Sequence, residues 1–434
     1  MLDIEFVREN PDLVKKAITD KNIELNLDKF LTYDEERRQL IGNIDDLRHR
    51  QNDFNNEIVK LEGDKKQKAI GDMKAVAEDL KRAESKLRGI ESKWNEIYAL
   101  IPNIPSEDTP VGSGESANVE VERWGNIPKF DFKLKTHIEL GQDLKIIDFE
   151  KGVKTSGFRG YYLKGKGAIL HLAVLNYALG KIVKNGFTPM ITPIVVREFA
   201  LFGSGHFPFG KEDIYELANT GKNEKGNKIG DALYLAGTSE SSLLAYFADE
   251  VIDEKDLPKK LCGFSQCFRS EVGSYGKDTK GLYRIHEFSK VEQLVICRAD
   301  EKESEQWLQT MRGYAQDILK DLNLPHRVVQ ICTGDMGAGK RKMYDLETWM
   351  PSREGYGETH SDSDLTDWQT RRLNIKYKNK NGEKKYPFAL NNTVIASPRI
   401  LIAILENFQQ KDGSIKIPKP LVEFCGFDTI SPER

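Results

Sequence analysis

The sequence predicts an α+β protein in which an antiparallel sheet flanked by helices follows an N-terminal hairpin of two long helices. Two observations lead to this prediction. Apolar residues between positions 40 and 101 recur at alternating steps of four and three residues, as in helices that pack along one seam. After residue 125, short β-rich segments and amphipathic helical segments follow one another without regular alternation, which favours an antiparallel sheet over a doubly wound parallel one.

The two heptad-like segments cover residues 40–61 and 73–101, and the charged segment EGDKKQKAIGD separates them. Positions between the seam residues are mostly charged or polar, so neither helix has a second apolar face to bury. We therefore expect an antiparallel two-helix arm that serves either as a dimerisation coiled coil or as a surface that binds a macromolecule. Basic side chains near the turn and on the second helix weakly favour a polyanion: Lys65, Lys66, Lys68, Lys81, Arg82, Lys86 and Arg88.

Three prolines in PNIPSEDTP, residues 102–110, end the second helix, and the glycine-rich segment VGSGESANVEVERWG follows. We predict three regions from this change in composition. Residues 1–104 form a domain that carries the arm, residues 105–124 form a linker, and residues 125–434 form the domain that holds the sheet.

Composition limits the classes of function. The formal net charge of −3 indicates no particular partner, so any nucleic-acid site must be a local basic surface. No apolar run approaches the length of a membrane span, and the N-terminus MLDIEFVREN lacks the hydrophobic core of a signal peptide. The five cysteines are scattered and odd in number, which favours free thiols. We expect a cytoplasmic protein without a membrane partner.

Two familiar kinds of catalytic site are not supported by the sequence. The segment GDMGAGK, residues 334–340, has the spacing of a phosphate-binding P-loop, but Arg341 stands where a hydroxyl should hold magnesium. No G-x-S-x-G sequence is present, so a serine hydrolase of the nucleophile-elbow type is unsupported.

The stretch CFRSEVGSYGKDTKGLYRIHEFSKVEQ, residues 267–293, places cations and carboxylates on two predicted strands joined by the glycine-rich loop 270–281. Side chains expected on one face of this hairpin are Arg269, Glu271, Arg284, His286, Phe288 and Glu292. The residues alone leave two interpretations open, a salt-bridged structural hairpin and a binding site.

Three further stretches are dense in polar residues: GTSE at 237–240, ETHSDSDLTDWQTRR at 358–372 and LNNTVIASPR at 390–399. Polar side chains among strands cost stability unless they are paired or bind something. A site that binds a polyanion with a metal ion, beside a small polar ligand, would account for all of them.

These motifs resemble those of class II aminoacyl-tRNA synthetases. FRSE followed by GLYRIHEFSKVEQ is similar to the second signature motif, LNNTVIASPRILIAILENFQ to the third, and VKNGFTPMITP, with Pro193, to the first. Together with GTSE, ETHSDSDLTDWQTRR and the helical arm, they make the whole chain resemble the seryl-tRNA synthetase family.

The resemblance implies a class II antiparallel sheet, a homodimer formed through the first motif, and a two-step ligase reaction. L-serine and ATP would form seryl-adenylate with release of pyrophosphate, and serine would then pass to the 3′ end of tRNA(Ser). Binding of tRNA through the arm, with tRNA(Sec) as a further candidate substrate, is also implied. The resemblance therefore makes residues 1–104 a tRNA-binding domain and residues 125–434 a catalytic domain.

The family motifs assign the ATP site residue by residue. Arg269 would hold the α-phosphate and the serine carboxylate, and Arg399 the γ-phosphate; these two are the expected catalytic residues. Arg284 would make a second phosphate contact, Phe288 would stack on adenine, and Glu271 would accept from its amino group or hold the loop. Mg²⁺ would be bound by Glu358 and Ser361, whose hard oxygen atoms suit it.

The motifs also assign the amino-acid pocket. Glu292 would accept the hydrogen bond of the serine hydroxyl, and Asn391 and Thr393 would line the same pocket, while Arg269 meets the carboxylate. Thr238 and Glu240 would bind the α-amino group. A carboxylate that alanine leaves unpaired can discriminate by a factor of about 10⁴.

Two features depart from the family pattern. Asp362 and Asp364 stand where many relatives carry cysteine and asparagine, which adds negative charge near the expected magnesium ligands. Residues 219–230 form a polar insertion before GTSE. Two alternative functions stay open at this point: a synthetase-like protein that activates serine or a related amino acid without charging tRNA, and a non-enzymatic coiled-coil interaction protein.

Overall fold

The computed structural model describes residues 1–227, 230–272 and 280–433. Most of the glycine-rich loop 270–281 and part of the insertion 219–230 therefore lie outside the described residues. The chain divides into two compact units: Leu2–Pro102 in one, and Met1 with Asn103–Arg434 in the other. In the part of the chain that is described, no helix combines the length and the apolar composition needed to cross a membrane.

The unit Leu2–Pro102 consists of helices α1 (Ile4–Glu9), α2 (Pro11–Asp20), α3 (Leu27–Ile58) and α4 (Gly63–Tyr98). Salt bridges join α3 to α4 at Arg48–Glu84 (2.9 Å) and Arg37–Glu91 (3.3 Å). The residue nearer the start of α3, Arg37, pairs with the residue nearer the end of α4, Glu91, so the two helices are antiparallel. The buried seam residues Ile44, Leu47, Val76 and Ala83 lie between them. The predicted two-helix arm is confirmed.

The turn of the arm is shorter than the sequence predicts. Residues 62–72 carry charges and two glycines that indicate a break, yet α4 begins at Gly63. Gly63 has a positive φ of +57° and accommodates the turn itself. Lysine, glutamine and alanine in KKQKA favour a helix, which outweighs the cost of about 1 kcal/mol for Gly71 inside it.

The unit Asn103–Arg434 contains the remaining helices and all the strands. Its strands are β1 (Val119–Trp124), β2 (Ile147–Asp148), β3 (Tyr162–Leu163), β4 (Thr188–Ile191), β5 (Val195–Arg197), β6 (Leu233–Leu235), β7 (Val251–Asp253), β8 (Lys259–Phe268), β9 (Glu287–Cys297), β10 (His326–Gln330), β11 (Lys342–Met350), β12 (Gly355–Asp364), β13 (Lys376–Lys378), β14 (Lys384–Lys385), β15 (Phe388–Ser397), β16 (Ile415–Lys416) and β17 (Thr429–Ile430). Its helices are α5 (His137–Asp143), α6 (Phe149–Ser156), α7 (Lys166–Lys184), α8 (Glu198–Ser204), α9 (Glu240–Ala245), α10 (Glu301–Asp321), α11 (Trp368–Arg372), α12 (Arg399–Asn407) and α13 (Lys419–Cys425).

The main sheet has eight strands in the order β1-β10-β11-β12-β15-β9-β8-β4. Every neighbouring pair is antiparallel except β4 with β8. Apolar side chains of α7, α10 and α12 form one buried core with those of the sheet. The predicted antiparallel sheet flanked by helices is therefore confirmed.

Two parts of this sheet differ from the sequence prediction. Strand β1 lies within residues 105–124, the range predicted as a linker, and pairs with β10 at the edge of the sheet. The β-rich segments predicted from the sequence, around residues 190–197, 232–237, 261–268, 283–296 and 388–396, also omit β10, β11 and β12. In β11 the residues Met343, Leu346 and Glu347 are good helix formers, so local propensity does not indicate a strand. The alternation of buried and partly exposed side chains becomes evident only when β10 and β12 are seen on either side of it.

A buried carboxylate fixes α12, the helix that begins at Arg399. Glu406 is fully buried and accepts hydrogen bonds from the backbone N–H groups of His137 (3.0 Å) and Ser352 (2.9 Å). The Ser352 hydroxyl also donates to it at 2.8 Å, and His137 Nδ1 lies 2.9 Å away. Burial opposes ionisation of this carboxyl, but the hydrogen bonds from His137 and Ser352 outweigh burial and lower the pKa of Glu406.

We predict that Glu406→Ala lowers the free energy of unfolding of the unit 103–434 by about 2–4 kcal/mol, because buried donors lose their acceptor. A lowered pKa means that the contribution of Glu406 is present above its ordinary pKa and is lost as the pH falls through the folded value. Urea unfolding at pH 7 and at a series of pH values below 4 measures both effects. The matched control is Glu423→Ala on α13, an exposed position where a change of more than about 0.5 kcal/mol is unexpected. Equal stability of the two variants at pH 7 would contradict the prediction.

Candidate active site

One cavity in the unit Asn103–Arg434 brings together almost all of the residues that the motifs assign. Its volume is about 230 Å³, and its lining includes side chains of β9, β12 and β15, which are neighbours in the sheet. The assigned residues that line it are Thr238, Glu240, Arg269, Glu271, Phe288, Glu292, Glu358, Ser361, Asn391, Thr393 and Arg399. Arg284 lies in an adjoining groove that it shares with Arg269 and Arg399.

A buried ion pair lies at the corner of the cavity formed by β9 and β15. Glu292 and Thr393 face each other across these strands, and Thr393 Oγ1 donates to Glu292 Oε2 at 3.4 Å. Lys290 precedes Glu292 by two residues on the same face of β9, and its Nζ lies 2.5 Å from Glu292 Oε2. The side chains of Lys290 and Glu292 are only 7% and 3% exposed.

Glu240 approaches the same corner from the start of α9. Its Oε1 accepts hydrogen bonds from Asn391 Nδ2 at 2.8 Å and from Gln369 Nε2 at 2.6 Å. The hydroxyl of Thr238 accepts from the backbone N–H of Glu240 at 3.3 Å, which holds the loop before the helix. Two amides thus fix one oxygen of this buried carboxylate.

The two carboxyl groups of this corner have pKa values shifted in opposite directions. Burial raises the pKa of Glu292, and the nearby charge of Glu240 adds to the rise, while Lys290 opposes it. Burial also opposes ionisation of Glu240, but Lys340 and His206 outweigh burial and lower the pKa of Glu240. A ligand with an ammonium group and a hydroxyl group would complement both carboxyls.

The other end of the cavity carries the cations. The Arg269 guanidinium lies 5.3 Å from the centre of the Phe288 ring, and its Nε donates to the carbonyl oxygen of Gly237 at 3.4 Å. Arg284 precedes β9, which begins at Glu287 and not at residue 282 as the alternation predicts. Arg284 Nη1 donates to Glu271 Oε2 at 3.1 Å. The predicted hairpin face therefore holds paired charges and an aromatic surface beside the cavity.

Arg399 follows β15 as the first residue of α12. Its Nη1 donates to Glu358 Oε2 and to the Glu358 carbonyl oxygen, both at 3.1 Å, and its Nε donates to the Tyr283 carbonyl oxygen at 3.1 Å. The guanidinium also lies 4.4 Å from the centre of the Tyr283 ring. These contacts fix the guanidinium plane at the wall of the cavity.

A second acidic side chain lies beside Glu358 and Ser361. Asp345 on β11 pairs with Ser361 on β12, and Asp345 Oδ1 is buried without a hydrogen-bond partner. Burial, with the nearby charge of Glu358, raises the pKa of Asp345 well above its usual range. Residues 1–227, 230–272 and 280–433 contain no group of three or more His, Cys, Asp or Glu side chains arranged to hold a metal ion by themselves.

Four residues near the site were missed by the sequence analysis: Lys290, His206, Lys340 and Asp345. The first three line the cavity. Lys340 belongs to GDMGAGK, which has P-loop spacing but contributes its lysine to this cavity instead. The sequence does indicate that Lys290 lies in the site, because it precedes Glu292 by two residues and alternate residues of a strand share a face. No comparable signal marks His206.

Asp362 and Asp364 do not line the cavity, contrary to the expectation that they add charge near Ser361. Alternate residues of β12 point to opposite faces, so Asp362 and Asp364 face away from the side that Ser361 occupies. Both are fully buried, and burial raises the pKa of both carboxyls. Asp362 pairs with Asn392 in the sheet register, and Asp364 Oδ2 lies 3.7 Å from Arg341 Nη1.

Two family models match this chain. The model of the seryl-tRNA synthetase N-terminal domain matches residues 1–105, and that of the class II tRNA synthetase core domain (G, H, P, S and T) matches residues 222–408. The serine–tRNA ligase of Deinococcus radiodurans is 43% identical over 98% of this chain and 98% of its own. That of Treponema denticola is 42% identical over 99% of this chain and 100% of its own.

Solved structures give the same result. Seryl-tRNA synthetase from Pyrococcus horikoshii, complexed with ATP, has a TM-score of 0.90 and 37% identity, with complete coverage of both chains. The cytoplasmic serine–tRNA ligase of Naegleria fowleri, in complex with AMP, has a TM-score of 0.86 and 30% identity over 100% of this chain and 99% of its own. The resemblance drawn from the motifs is confirmed, and neither alternative function is favoured. The chain belongs to the seryl-tRNA synthetase family of class II aminoacyl-tRNA synthetases, the serine–tRNA ligases.

Proposed function

We propose that this chain activates L-serine with ATP in the cavity and transfers the serine to the 3′ end of tRNA(Ser). The observation that carries the proposal is the division of the cavity into two ends. Arg269 and Arg399 line the end next to the adjoining groove, which also holds Arg284, and the buried carboxyls of Glu240 and Glu292 lie at the other end. The first end suits a polyphosphate and the second a small amino acid with a hydroxyl group.

ATP is the nucleotide that this site would take, as it is for the relative from Pyrococcus horikoshii. In the first step a carboxylate oxygen of serine bonds to the α-phosphorus, and the bond from that phosphorus to the pyrophosphate oxygen breaks. Two anions approach each other, so fixed positive charge contributes most of the catalysis. We assign this role to Arg269 at the α-phosphate and Arg399 at the γ-phosphate, with Arg284 as a further contact.

The adenine end is assigned to Phe288 and Glu271. Phe288 offers a ring face at the cavity wall, with the guanidinium of Arg269 already against the ring. Glu271 accepts a hydrogen bond from Arg284, and a carboxylate can accept from several donors, so we assign Glu271 to accept from the amino group of the base as well. The pairing with Arg284 therefore supports both parts of the earlier assignment, base recognition and a held loop.

Serine recognition is assigned to the corner formed by β9, β15 and α9. Glu292 accepts the hydrogen bond of the substrate hydroxyl, and Thr393 and Asn391 complete the wall. Glu240, held by Asn391 and Gln369, takes the ammonium group together with Thr238. Alanine leaves the Glu292 oxygen without a donor in a buried site, which is costly.

The residues near Ser361 fit a magnesium ion bound mainly by phosphate. Glu358 and Ser361 offer hard oxygen atoms, and Asp345 adds a buried carboxylate oxygen that has no hydrogen-bond partner. Because the chain offers few ligands, the remaining positions suit phosphate oxygen atoms and water. When bound, Mg²⁺ would neutralise charge on the phosphates and orient them. Glu358 and Ser361 would hold it, with Asp345 behind them.

The arm of α3 and α4 is proposed to bind tRNA(Ser). Its basic side chains near the turn and along α4 are exposed, among them Lys65, Lys66, Lys68 and Arg88. Contacts from lysine and arginine to phosphates recognise shape and backbone more than bases. The proposed tRNA-binding domain then comprises residues 1–104, and the catalytic domain residues 125–434 together with the edge strand β1 that precedes them.

We also propose a homodimer formed through the first motif. Ile191 at the end of β4 is 90% exposed, and Leu172 and Ile169 on α7 are 54% and 42% exposed. Large apolar side chains exposed within the motif and on the helix that leads into it mark a surface that another protein covers. The five cysteines are free and buried, as the sequence predicts, and this supports a reducing cytoplasmic location.

Arg399→Ala is expected to lower serine-dependent pyrophosphate–ATP exchange by at least about 100-fold, because a charged donor at the phosphates is lost. Arg399→Lys keeps the charge but not the two-pronged geometry and should recover only part of the rate. The matched control is Arg353→Ala, which removes another guanidinium from the Tyr283 ring, 4.3 Å from its centre. Near-normal exchange by Arg399→Ala would overturn its phosphate assignment.

Glu358→Gln should raise the Mg²⁺ concentration for half-maximal exchange by at least about tenfold, and Asp345→Asn should raise it by a smaller factor. A titration of the exchange rate with Mg²⁺ at saturating ATP and serine measures both. Glu120→Gln removes a carboxylate that pairs with Arg123 and Arg327 at the sheet edge, and it serves as the control. The same Mg²⁺ requirement in all three variants would contradict the assigned ion site.

Replacing Lys65, Lys66 and Lys68 by glutamine should raise the KM for tRNA(Ser) and reduce the slope of log affinity against log salt by about 2–3. Serine-dependent exchange without tRNA should stay unchanged, because the cavity is intact. The control replaces three exposed lysines of the catalytic unit, Lys378, Lys380 and Lys384, in the same way. If both triple variants charge tRNA equally well, the tip of the arm does not bind it. The second comparison is the charging of a tRNA without a long variable arm, which should be poor even with the unmodified chain.

A further inference from the structure

Lys290 is a buried cation with no role in the reaction described so far. Its ammonium lies 2.5 Å from Glu292, and its side chain is 7% exposed. A buried ion pair is rarely worth keeping for stability alone, because the cost of removing two charges from water offsets their attraction. Lys290 nevertheless lines the cavity, at the point where the substrate hydroxyl would bind.

We propose that Lys290 is a positioning residue whose ammonium holds Glu292 in the ionised form, as a hydrogen-bond acceptor for the substrate hydroxyl. The inference rests on the proposed function, since it takes Glu292 as the residue that recognises serine. It deepens that function by naming the group that sets the state of the specificity residue.

The charges around Glu292 explain why such a group is needed. Lys290 on β9 and Lys340 before β11 are the nearby cations, and Glu240 on α9 is the nearby anion. Across β9, Thr393 on β15 donates a hydrogen bond, and Gly263 on β8 contributes no side chain. Without Lys290, Glu292 would be a buried carboxyl facing a second carboxylate, and the protonated form would prevail.

The protonation state of Glu292 matters for specificity. An ionised carboxylate only accepts hydrogen bonds, so a substrate without a hydroxyl donor leaves a buried charged oxygen unpaired. A protonated carboxyl that is left unpaired costs less, because no charge is involved. Rejection of alanine therefore depends on the ion pair as well as on Glu292 itself.

The test measures kcat/KM for serine in pyrophosphate–ATP exchange from pH 5.5 to 8.5, and the serine-to-alanine ratio of kcat/KM. Lys290→Met removes the charge at similar length. We expect the acidic limb of its profile to move up by about one to three pH units, since the pKa of Glu292 rises. The serine-to-alanine ratio should fall at pH 7 and recover at pH 8.5. Lys290→Gln, which can donate but carries no charge, should behave likewise, and Lys290→Arg should stay close to the unmodified chain.

Two further variants separate the possible failures. In Lys290→Met/Glu292→Gln no titrating group remains at the specificity position, so the shift should disappear; a shift that persists there would assign it to Glu240 and overturn the proposal. Unmoved profiles in both Lys290→Met and Lys290→Gln would overturn it as well. Glu292→Gln alone tests the underlying function: if its serine-to-alanine ratio equals that of the unmodified chain, the pocket assignment itself fails. Circular dichroism of each variant establishes that it is folded, and the double variant, which buries no unpaired charge, provides folded protein for comparison.

Discussion

The two-residue period of β9 and β15 is the constraint on which the site depends. Both faces of these strands are buried, yet they carry different chemistry. Glu292 and Thr393 point into the cavity. The adjacent residues Gln293 and Asn392 lie on the opposite face, where Gln293 Nε2 donates a hydrogen bond to Asn392 Oδ1 at 2.9 Å. A slip of one residue would exchange these sets and place a carboxylate in the core. The register therefore fixes the chemistry as well as the fold.

Three cations of the cavity and the adjoining groove are paired with carboxylates of the same chain. Arg399 is paired with Glu358, Arg284 with Glu271, and Lys290 with Glu292. Such pairing is what allows cations to be kept at a partly buried wall before any anion arrives. In the proposed reaction, a phosphate that binds would exchange one anionic partner for another, so the guanidinium groups would already be oriented and little reorganisation would remain.

Much of the site could be predicted because its motifs are contiguous in sequence. Arg269, Glu292 and Arg399 each lie in a stretch whose polar residues stand out among apolar neighbours. Asp345 could not be found in this way, since it lies beside Ser361 only through the pairing of β11 with β12, and a single sequence does not reveal which strands are neighbours. The edge strand β1 could not be predicted for the same reason. Its six residues, Val119–Trp124, form a strand because they pair with β10, which is distant in sequence. Local composition also predicts too broad a turn in the arm, because a run of charged residues is typical of a loop and equally of an exposed helix.

The tight connection between α3 and α4 limits how the arm can change in length during evolution. One extra residue in α3 would rotate everything beyond it by about 100° and take the seam out of contact with α4. Cross-helix pairs such as Arg48–Glu84 would also lose their partners unless α4 lengthened by the same amount. Insertions and deletions are therefore tolerated as matched blocks of about seven residues in both helices, each altering the reach of the arm by about 10 Å. The distance from the catalytic unit at which the proposed RNA contact can form therefore changes only in discrete increments.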